Sequence, residues 1–394
     1  MDILILADFS GSFDGKTNNR FAYLADMLAQ EHDVEIVTSD FYHGTKSHFE
    51  KHPEGFAYKV TMLHEKKYAK NVSIKRFYSH YVWGKEVKKY LKNRKTPDVV
   101  YCAVPTLSAS YKAAKYCKKH NIKFIIDIQD LWPEAFKMVL HLPVVSDIIF
   151  APFTFLANGI YKRADEVVAV SDTYVARALK VNKNCKSGHT VYLGTRLETF
   201  DSNAKQNPVE KPEGELWLGY CGTLGASYDI TCALDALVIL KEKGITPPKF
   251  MVMGDGPRKE AFENYAKSKN IDAIFTGRLP YGEMCGRLCA CDITVNPITR
   301  GAAQSIINKH ADYASSGVPV LNTQECVEYR QLVEGYNMGY NCKNNDAEDL
   351  AEKLILLMQN EEQRIEMGKN ARRCAEERFD RANSYKEIID LILN

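Results

Sequence analysis

The sequence predicts an α/β protein with two doubly wound, Rossmann-like domains. Short runs of β-branched and other apolar residues alternate with amphipathic helical patterns along the chain, which is typical of βα units on a parallel sheet. A chain of 394 residues is also too long for one core of ordinary size, since domains usually have about 100–200 residues. Between two series of strands, residues 201–215 are polar and contain two prolines, which indicates a linker.

The first domain is predicted over residues 1–200 and the second over residues 216–378. Apolar runs predict strands of the first domain at 3–7, 34–38, 99–103, 124–128, 167–170 and 190–193. Those of the second domain are predicted at 216–221, 250–254, 273–276, 293–296 and 318–321. Residues 379–394 have apolar side chains at helical spacing, and we expect this C-terminal helix to pack back onto the first domain.

Composition excludes several classes of protein. A net charge of +2 gives no bulk preference for nucleic acid. The first residues carry neither a basic segment nor an apolar run of signal-peptide length, so we expect a cytoplasmic protein. The eleven cysteines form no CxxC pair and indicate reduced thiols. Cys285, Cys289 and Cys291 lie close together, but the first two are one helical turn apart, and we interpret them as small buried hydrophobes rather than metal ligands.

The most informative segment is the loop and helix that follow the strand predicted at 293–296. Ser305 is the predicted N-cap, so free backbone N–H groups would point out of the carboxyl end of the sheet, where α/β proteins bind phosphates. Helical spacing aligns Ser305 with Asn308, Lys309 and Asp312. Lys309 offers a positive charge to a diphosphate, and Asp312 can accept two hydroxyl hydrogen bonds from a ribose. The alternative is a solvated amphipathic face.

This segment resembles the signature of the family-4 retaining glycosyltransferases of GT-B fold, in which two Rossmann-like domains face a central cleft. In that family two acids stand eight positions apart, and the second, five residues before a G-x-P-V turn, binds the ribose. Asp312 matches that place before Gly317, but the first position is Gln304, which leaves its contact with the donor sugar open. The pairs 308–309 and 312–313 resemble a sub-branch that builds capsules, O-antigens and exopolysaccharides.

Three glycine-containing loops agree with the resemblance. Gly222 and Thr223 match the loop that admits the diphosphate, and Gly254 matches the loop after the next strand. Arg278 and Leu279 match the loop that flanks the nucleobase. The basic residues that many relatives carry after the first loop are absent, so the resemblance implies that Lys309, with Arg300, supplies the positive charge.

The first domain carries candidate residues after two strands. Its first loop contains Gly11 and Gly15, whose spacing does not fit a dinucleotide fingerprint and disfavours a dehydrogenase. The resemblance implies that these glycines face the cleft. The segment 129–134 contains Asp130, the catalytic candidate, and Glu134, a candidate cleft residue. Many relatives have histidine where Gln129 stands. The alternatives are an N-cap for Asp130 and a favourable first-turn acid for Glu134.

Two segments indicate a membrane surface. Residues 66–95 contain eleven Lys or Arg and one acid, interleaved with aromatic residues. Such a helix can lie on anionic lipid, with RNA as the rival ligand. Residues 136–161 are strongly apolar but contain Pro143, Asp147 and Pro152, so they predict an interfacial rather than a spanning segment. Ordinary core packing with a solvated face is the alternative for both.

The sequence therefore predicts a retaining glycosyltransferase. It would move a sugar from a nucleoside-diphosphate donor, expected to be a UDP-sugar, to a polyprenyl-diphosphate-linked saccharide, at the inner face of the cell membrane. Asp130, Lys309 and Gln304 would serve catalysis, with no cofactor, metal or nucleic acid. The alternatives are a sugar-nucleotide epimerase of the same shape and a non-catalytic partner subunit, which Gln304 and Gln129 favour.

Overall fold

The computed structural model describes residues 1–11, 13, 19–71, 73–136, 143–185, 187–302 and 305–394. They divide into two compact units, Met1–Val191 with Tyr385–Asn394, and Tyr192–Ser384. Each unit has its own parallel sheet between layers of helices. Two doubly wound, Rossmann-like domains are therefore confirmed.

The first unit is built on a parallel sheet of order β5-β2-β1-β6-β7-β8-β9. Its strands are β1 (Asp2–Leu6), β2 (Asp33–Ser39), β5 (Lys59–Leu63), β6 (Val99–Val104), β7 (Lys123–Ile128), β8 (Glu166–Ala169) and β9 (His189–Thr190). A short antiparallel pair, β3 (Phe41–Tyr42) and β4 (Ser47–His48), lies apart from the sheet. The helices are α1 (Arg20–Leu28), α2 (Ile74–Asn93), α3 (Leu107–His120), α4 (Pro143–Tyr161) and α5 (Asp172–Leu179).

Alternate residues of these strands supply two cores, one on each face of the sheet. Even-numbered residues such as Leu4 and Val100 pack with α2, α3 and α4. Odd-numbered residues such as Ile5 pack with α1 and with the C-terminal segment, through Tyr385 and Ile388. This alternation follows from the two-residue period of a strand, and it buries the central strands on both faces.

A buried polar network joins α1, the sheet and the C-terminal segment of the first unit. The Nε of Arg20 lies 2.7 Å from Asp127 Oδ2, which also accepts a hydrogen bond of 2.7 Å from the Tyr101 hydroxyl. Arg20 also contacts the Tyr385 hydroxyl at 3.2 Å. A buried charge needs such partners, so the C-terminal segment completes the first unit.

The second unit has a parallel sheet of order β12-β11-β10-β13-β14-β15. Its strands are β10 (Trp217–Cys221), β11 (Lys249–Met253), β12 (Ala273–Gly277), β13 (Ile293–Asn296), β14 (Val320–Asn322) and β15 (Gly339–Asn341). The helices are α6 (Leu197–Gln206), α7 (Ile230–Glu242), α8 (Lys259–Ser268), α9 (Tyr281–Ala290), α10 (Asn308–Ser315), α11 (Val327–Tyr336), α12 (Ala347–Gln359) and α13 (Glu361–Cys374). A π-helical turn (Ala375–Phe379) and the short α14 (Arg381–Ser384) end the unit, and α15 (Lys386–Leu393) belongs to the first unit.

The predicted linker, 201–215, requires correction. The division falls between Val191 and Tyr192, and residues 197–206 form α6 inside the second unit. Leu197 and Phe200 bury this helix, while Lys211 pairs with Asp292 at 2.7 Å. The polar composition of the segment reflects the outer side of a packed helix and its neighbouring loop.

No helix within the described ranges combines the length and the apolar character that crossing a bilayer requires.

Candidate active site

The second sheet reverses its strand order between β10 and β13. Open α/β sheets bind ligands at such a switch point, beyond the carboxyl ends of the strands. The loop that begins at Gly222 leaves β10 there, and α10 follows the loop from β13. The candidate site is therefore assembled from elements separated by more than 80 residues.

Lys309, on the first turn of α10, is the central group of this site. Its Nζ is buried, donates to the Tyr220 hydroxyl at 3.1 Å, and lies 4.2 Å and 3.8 Å from the ring centroids of Tyr220 and Tyr228. None of the described ion pairs gives it a carboxylate partner. Burial lowers the pKa of Lys309 to about 7. A buried ammonium without an anion is costly, so an anionic ligand would be favoured here.

Glycines bring two loops together beside the ammonium. Gly222 has a φ of +140°, and a β-carbon on it would lie 2.7 Å from Lys309 Nζ. A β-carbon on Gly254 would lie 1.8 Å from the carbonyl oxygen of Gly222, because the loops after β10 and β11 touch through their backbones. Thr223 is exposed and accepts a hydrogen bond of 2.7 Å from the Tyr220 hydroxyl through its carbonyl. Only glycine at 222 and 254 permits this packing.

Asp312 lies one turn beyond Lys309 on α10. Its Oδ1 accepts a hydrogen bond of 2.9 Å from the Tyr281 hydroxyl, and burial raises the pKa of Asp312 to about 6, against the effect of that bond. The next residue, Tyr313, accepts from the Cys221 N–H at 3.2 Å and donates to the Val295 carbonyl at 3.1 Å. Tyr313 thereby joins the ends of β10 and β13 and fixes the helix that carries both charged groups.

The start of α10 differs from the prediction. The helix begins at Asn308, with Ile307 as its N-cap residue, so Ser305 is not the N-cap. His310 Nδ1 lies 3.3 Å from the Ile307 N–H, and the ring stacks on Tyr329 at 3.5 Å between centroids. A buried histidine thus caps the helix where a serine was expected. The carbonyl of Ser305 accepts from the Gln324 side chain at 2.9 Å.

The remaining predicted residues of the second unit take different positions. Asn308 and Arg300 are exposed. Arg278 is exposed just beyond β12, while Leu279 is half-buried and packs against the core. Gln304 lies outside the described residues. The structure therefore brings Lys309, Gly222 and Gly254 into one cluster. Asp312 lies on α10, the helix that carries Lys309.

The first unit has a separate cavity of about 330 Å³ beyond the carboxyl ends of its strands. The loops after β1, β2, β6 and β7 line it, at the switch point of that sheet. The lining combines aromatic rings with polar groups, the main ones being Phe9, Tyr42, Trp132, Arg76, Gln129 and Asp130. Apolar walls with a few directed polar groups are typical of small-molecule sites.

Arg76 is the cation of this cavity. It is buried, its guanidinium lies 4.6 Å from the ring centroid of Trp132, and no described residue makes a hydrogen bond to its Nε. Its Nη1 donates to the Asn71 carbonyl at 2.8 Å. His80 stacks on the same Trp132 ring, and burial lowers the pKa of His80 to about 3, so that imidazole is neutral. The unpaired Nε makes Arg76 available to a ligand.

A buried pair of acids, Asp8 and Glu65, lies beside Arg76. Burial raises the pKa of both carboxyls, and their mutual repulsion adds to the rise at Asp8. Thr106 donates to Asp8, while Ser39 and Ser79 each donate to Glu65 at 2.6 Å. Two close carboxyls in a desolvated site favour holding a proton between them.

The predicted residues of the first unit are divided between this cavity and its surroundings. Asp130 lines the cavity and accepts from the Trp132 indole at 3.0 Å, and burial raises its pKa. Gly11, with a φ of +76°, also lines it. Glu134 pairs with Arg177 at 2.5 Å and does not line this cavity, so its place in a cleft stays a prediction. Gly15 lies outside the described residues.

Sequence reasoning missed Arg76 and Asp8 as site residues. In the sequence, Arg76 is one of the eleven basic residues of 66–95, and composition does not distinguish it from the others. Its helical spacing from Trp83 and Val87, at seven and eleven positions, would have indicated a buried face. Nothing comparable singles out Asp8, whose burial depends on strands far apart in the sequence.

Among the described residues, the groups of side chains that could hold a metal ion lie in the first unit. The two candidate groups are Asp40 with His48 and His64, and Asp8 with Glu65 and His80. Asp40 accepts from His64 at 2.9 Å and from the Glu65 N–H at 2.8 Å, so protein partners already occupy its oxygens.

Sequence comparison finds glycosyltransferases that are similar to part of this chain. Residues 201–374 match the family model described as "Glycosyl transferases group 1". The chain is 27% identical over 244 residues to the uncharacterized glycosyltransferase MJ1069 of Methanocaldococcus jannaschii, covering 60% of either protein. It spans less than two thirds of the length of the curated relatives it matches, 60% of one and 34% of another.

Solved structures of similar fold extend over the whole chain. Anabaena Alr3699/HepE, in complex with UDP, has a TM-score of 0.69 at 15% identity and covers 100% of both chains. Sucrose-phosphate synthase (tll1590) from Thermosynechococcus elongatus has a TM-score of 0.72 at 15% identity and covers 99% and 98%. At this identity the likeness shows the fold, and the predicted GT-B fold is confirmed. The match of residues 201–374 to the family model supports a glycosyltransferase domain in that part of the chain.

Proposed function

We propose that this protein is a retaining glycosyltransferase that transfers a sugar from a UDP-sugar to a hydroxyl of a lipid-linked saccharide. The observation that carries the proposal is Lys309, a buried ammonium at the switch point of the second sheet, with tyrosine partners and, among the described residues, no carboxylate partner. A diphosphate supplies the missing anion. The UDP bound by the HepE neighbour supports uridine as the base.

The proposed mechanism places the donor in the second unit. As the bond from the sugar to the diphosphate breaks, negative charge grows on the leaving group, and Lys309 stabilises it together with N–H groups of the loop at Gly222. Asp312 accepts the ribose hydroxyls and is held for this by Tyr281. Because Lys309 supplies the positive charge, the proposed reaction takes neither a metal nor a cofactor. Retention of configuration is implied by the family resemblance.

The acceptor saccharide is assigned to the cavity of the first unit. Sugars present apolar faces and hydroxyls together, and Trp132 with Tyr42 supplies rings while Asp130 and Gln129 supply hydrogen-bonding groups. Asp130 would contact the reacting hydroxyl. A polyprenyl-diphosphate carrier, a role in cell-surface polysaccharide synthesis, and a place at the inner face of the membrane belong to the same proposal.

Ligand-dependent thermal unfolding tests the donor assignment. UDP, GDP, ADP and NAD are compared at millimolar concentration, with and without EDTA. A ligand at about 100 times its Kd adds roughly 2.7 kcal/mol to the free energy of unfolding. We expect a shift with UDP that EDTA does not change, and its loss in Lys309→Ala but not in Lys369→Ala, an exposed control. A shift that needs a divalent cation would contradict the metal-independent mechanism.

Assays of the reaction products separate the transferase from the two alternatives. A sugar-nucleotide epimerase would interconvert UDP-sugars without an acceptor, which chromatography of the nucleotide products detects. A non-catalytic partner subunit would neither transfer nor hydrolyse a donor that it binds. Neither alternative is better supported than the transferase.

A further inference from the structure

The outer sides of α2, α3 and α4 in the first unit form one continuous surface, called here the basic-apolar face. Phe77 of α2 lies 4.9 Å from Phe153 of α4, and Tyr111 of α3 lies 6.2 Å from Phe155 of α4, between ring centroids. Lys112 of α3 lies 5.0 Å from the Tyr81 ring of α2. Helices α2 and α4, which belong to the two segments predicted separately as interfacial, thus contact each other and α3.

Large apolar side chains on this face are exposed to solvent. Ile74 is 87% exposed, Ile148 72% and Phe155 68%, and Ile149, Tyr78 and Tyr81 are each about half exposed. On α2 they follow the spacing of one helical face, since 74, 78 and 81 are four and three residues apart. Single exposed apolar residues are common, but several on helices that pack together mark an interaction surface.

Lysines to which the described residues offer no carboxylate partner continue the same stripe. Lys85 and Lys112 lie 4.8 Å and 5.0 Å from the Tyr81 ring centroid. Burial lowers the pKa of Lys112 to about 8, with help from the charges of Lys88 and Lys85. None of the described ion pairs involves these three lysines. The neighbouring acid on α2, Glu86, is half-buried and makes no described bridge to them. Three adjacent cations that no described acid neutralises favour an anionic partner.

We propose that the basic-apolar face docks the protein on a bilayer containing anionic phospholipid. The lysines meet lipid phosphates, Tyr78 and Tyr81 lie at the level of the headgroups, and Ile74, Ile148 and Phe155 enter the interface. Helices with basic and aromatic residues on one side bind membranes in this way. The charge complementarity and the exposed apolar residues together favour lipid over an RNA, which would leave the isoleucines in water.

The basic-apolar face lies close to the cavity assigned to the acceptor. A role of this face in delivering a lipid-linked acceptor rests on the proposed function. The first turns of α2 contribute to the basic-apolar face and to the cavity. Ile74 and Tyr78 are exposed on the face, whereas Arg76 and His80 are buried and Arg76 lines the cavity. A helix is about 10 Å wide. A lipid-linked saccharide leaving the bilayer at this face would therefore have a short path to the cavity.

Vesicle flotation tests the inference. Full-length protein is mixed with phosphatidylcholine vesicles that contain or lack a quarter of phosphatidylglycerol, in low and high salt. We expect binding only to the anionic vesicles, weakened by salt, and a loss of about 25-fold in Lys85→Ala/Lys88→Ala, from about fivefold per lysine. Ile148→Ser/Phe155→Ser should also weaken binding, but with an unchanged salt dependence.

Matched controls come from the second unit. Val327→Ser/Ile365→Ser removes two apolar side chains that are 68% and 52% exposed, and Lys267→Ala/Lys369→Ala removes two exposed lysines. Both controls should bind vesicles like the wild type. Equal binding to neutral vesicles, equal loss in the controls, or binding of an oligouridylate instead of vesicles would overturn the inference.

The UDP-induced thermal shift is measured on the same samples. Normal UDP shifts with no lysine-dependent vesicle binding would refute the docking surface alone. Lysine-dependent vesicle binding without any UDP shift would refute the proposed donor site alone.

Discussion

Replacing Lys309 with methionine should stabilise the unliganded protein while abolishing its response to UDP. Methionine nearly matches the length of lysine, so it removes the charge without opening a cavity. In the folded chain burial lowers the pKa of Lys309 from 10.5 to about 7. Below pH 7 the lysine is protonated in both states, and the whole cost of the buried charge opposes folding. That cost declines as the pH rises from 7 to 10.5, so stability increases with pH in this window.

The magnitude follows from the same pKa change. A fall from 10.5 to about 7 corresponds to about 5 kcal/mol at pH 6 as an upper bound. The methionine loses the cation–π contacts with the Tyr220 and Tyr228 rings, which lowers this gain in stability by about 1–2 kcal/mol. A net gain of about 3 kcal/mol should raise the melting temperature of a unit of this size by roughly 6–12 °C.

Thermal unfolding at pH 6, with and without 1 mM UDP, measures both effects. Lys309→Met should melt higher than the wild type without ligand and show no shift with UDP, and Lys369→Met, which alters an exposed lysine, should match the wild type. A Lys309→Met protein that melts lower at pH 6, or that retains the UDP shift, would refute the reasoning. The first result would indicate a structural lysine and the second a different phosphate site.

Four further outcomes are expected. UDP binding should take up close to one proton at pH 8, because the diphosphate favours the charged form of Lys309; calorimetry in buffers of different ionisation enthalpy measures it, and zero uptake would contradict the site. Gly254→Ala should lower the melting temperature, because its β-carbon would lie 1.8 Å from a carbonyl oxygen, whereas Gly335→Ala, at an open helical position, should not. Asp312→Ala should weaken UDP binding about 10- to 100-fold and leave binding of inorganic diphosphate unchanged, and equal losses for both ligands would exclude a ribose contact. Asp130→Asn should lower the rate of sugar transfer with an unchanged UDP shift, and a lost shift would remove Asp130 from the acceptor side.

The sequence predicted the central strands because they are buried on both faces and read as continuous apolar runs. It did not predict β5 and β15, for reasons visible in the sheets. Lys59–Leu63 is an edge strand, mostly half-exposed, and Gly339–Asn341 is a short edge strand whose apolar content is a single tyrosine. Edge position alone does not hide a strand, because the edge strand β12 has a continuous apolar run, Ala273–Phe275, that predicted it. In β5 Thr61 interrupts the apolar run, and β15 is too short to give one.

The candidate site was predicted in part. Spacing along one helix was enough to pair Lys309 with Asp312, since both lie on α10. The rings of Tyr220 and Tyr228, which contact the ammonium, come from β10 and the loop after it, more than 80 residues earlier, and no local pattern links them to Lys309. The N-cap was misassigned because serine is the commoner capping residue, whereas here His310 reaches back to the Ile307 N–H.

The first unit consists of two separated stretches of chain, and this affects how it folds during translation. Residues 385–394 emerge from the ribosome only after all of 192–384, so Arg20 and Asp127 must wait for Tyr385 through the synthesis of the entire second unit. Until then, the surface that Ile388 and Ile392 later cover is open to solvent. An expression fragment ending at residue 191 would keep that surface open permanently and should aggregate, whereas a circular permutant that joins 385–394 ahead of residue 1 would let the first unit fold while the second is still being translated.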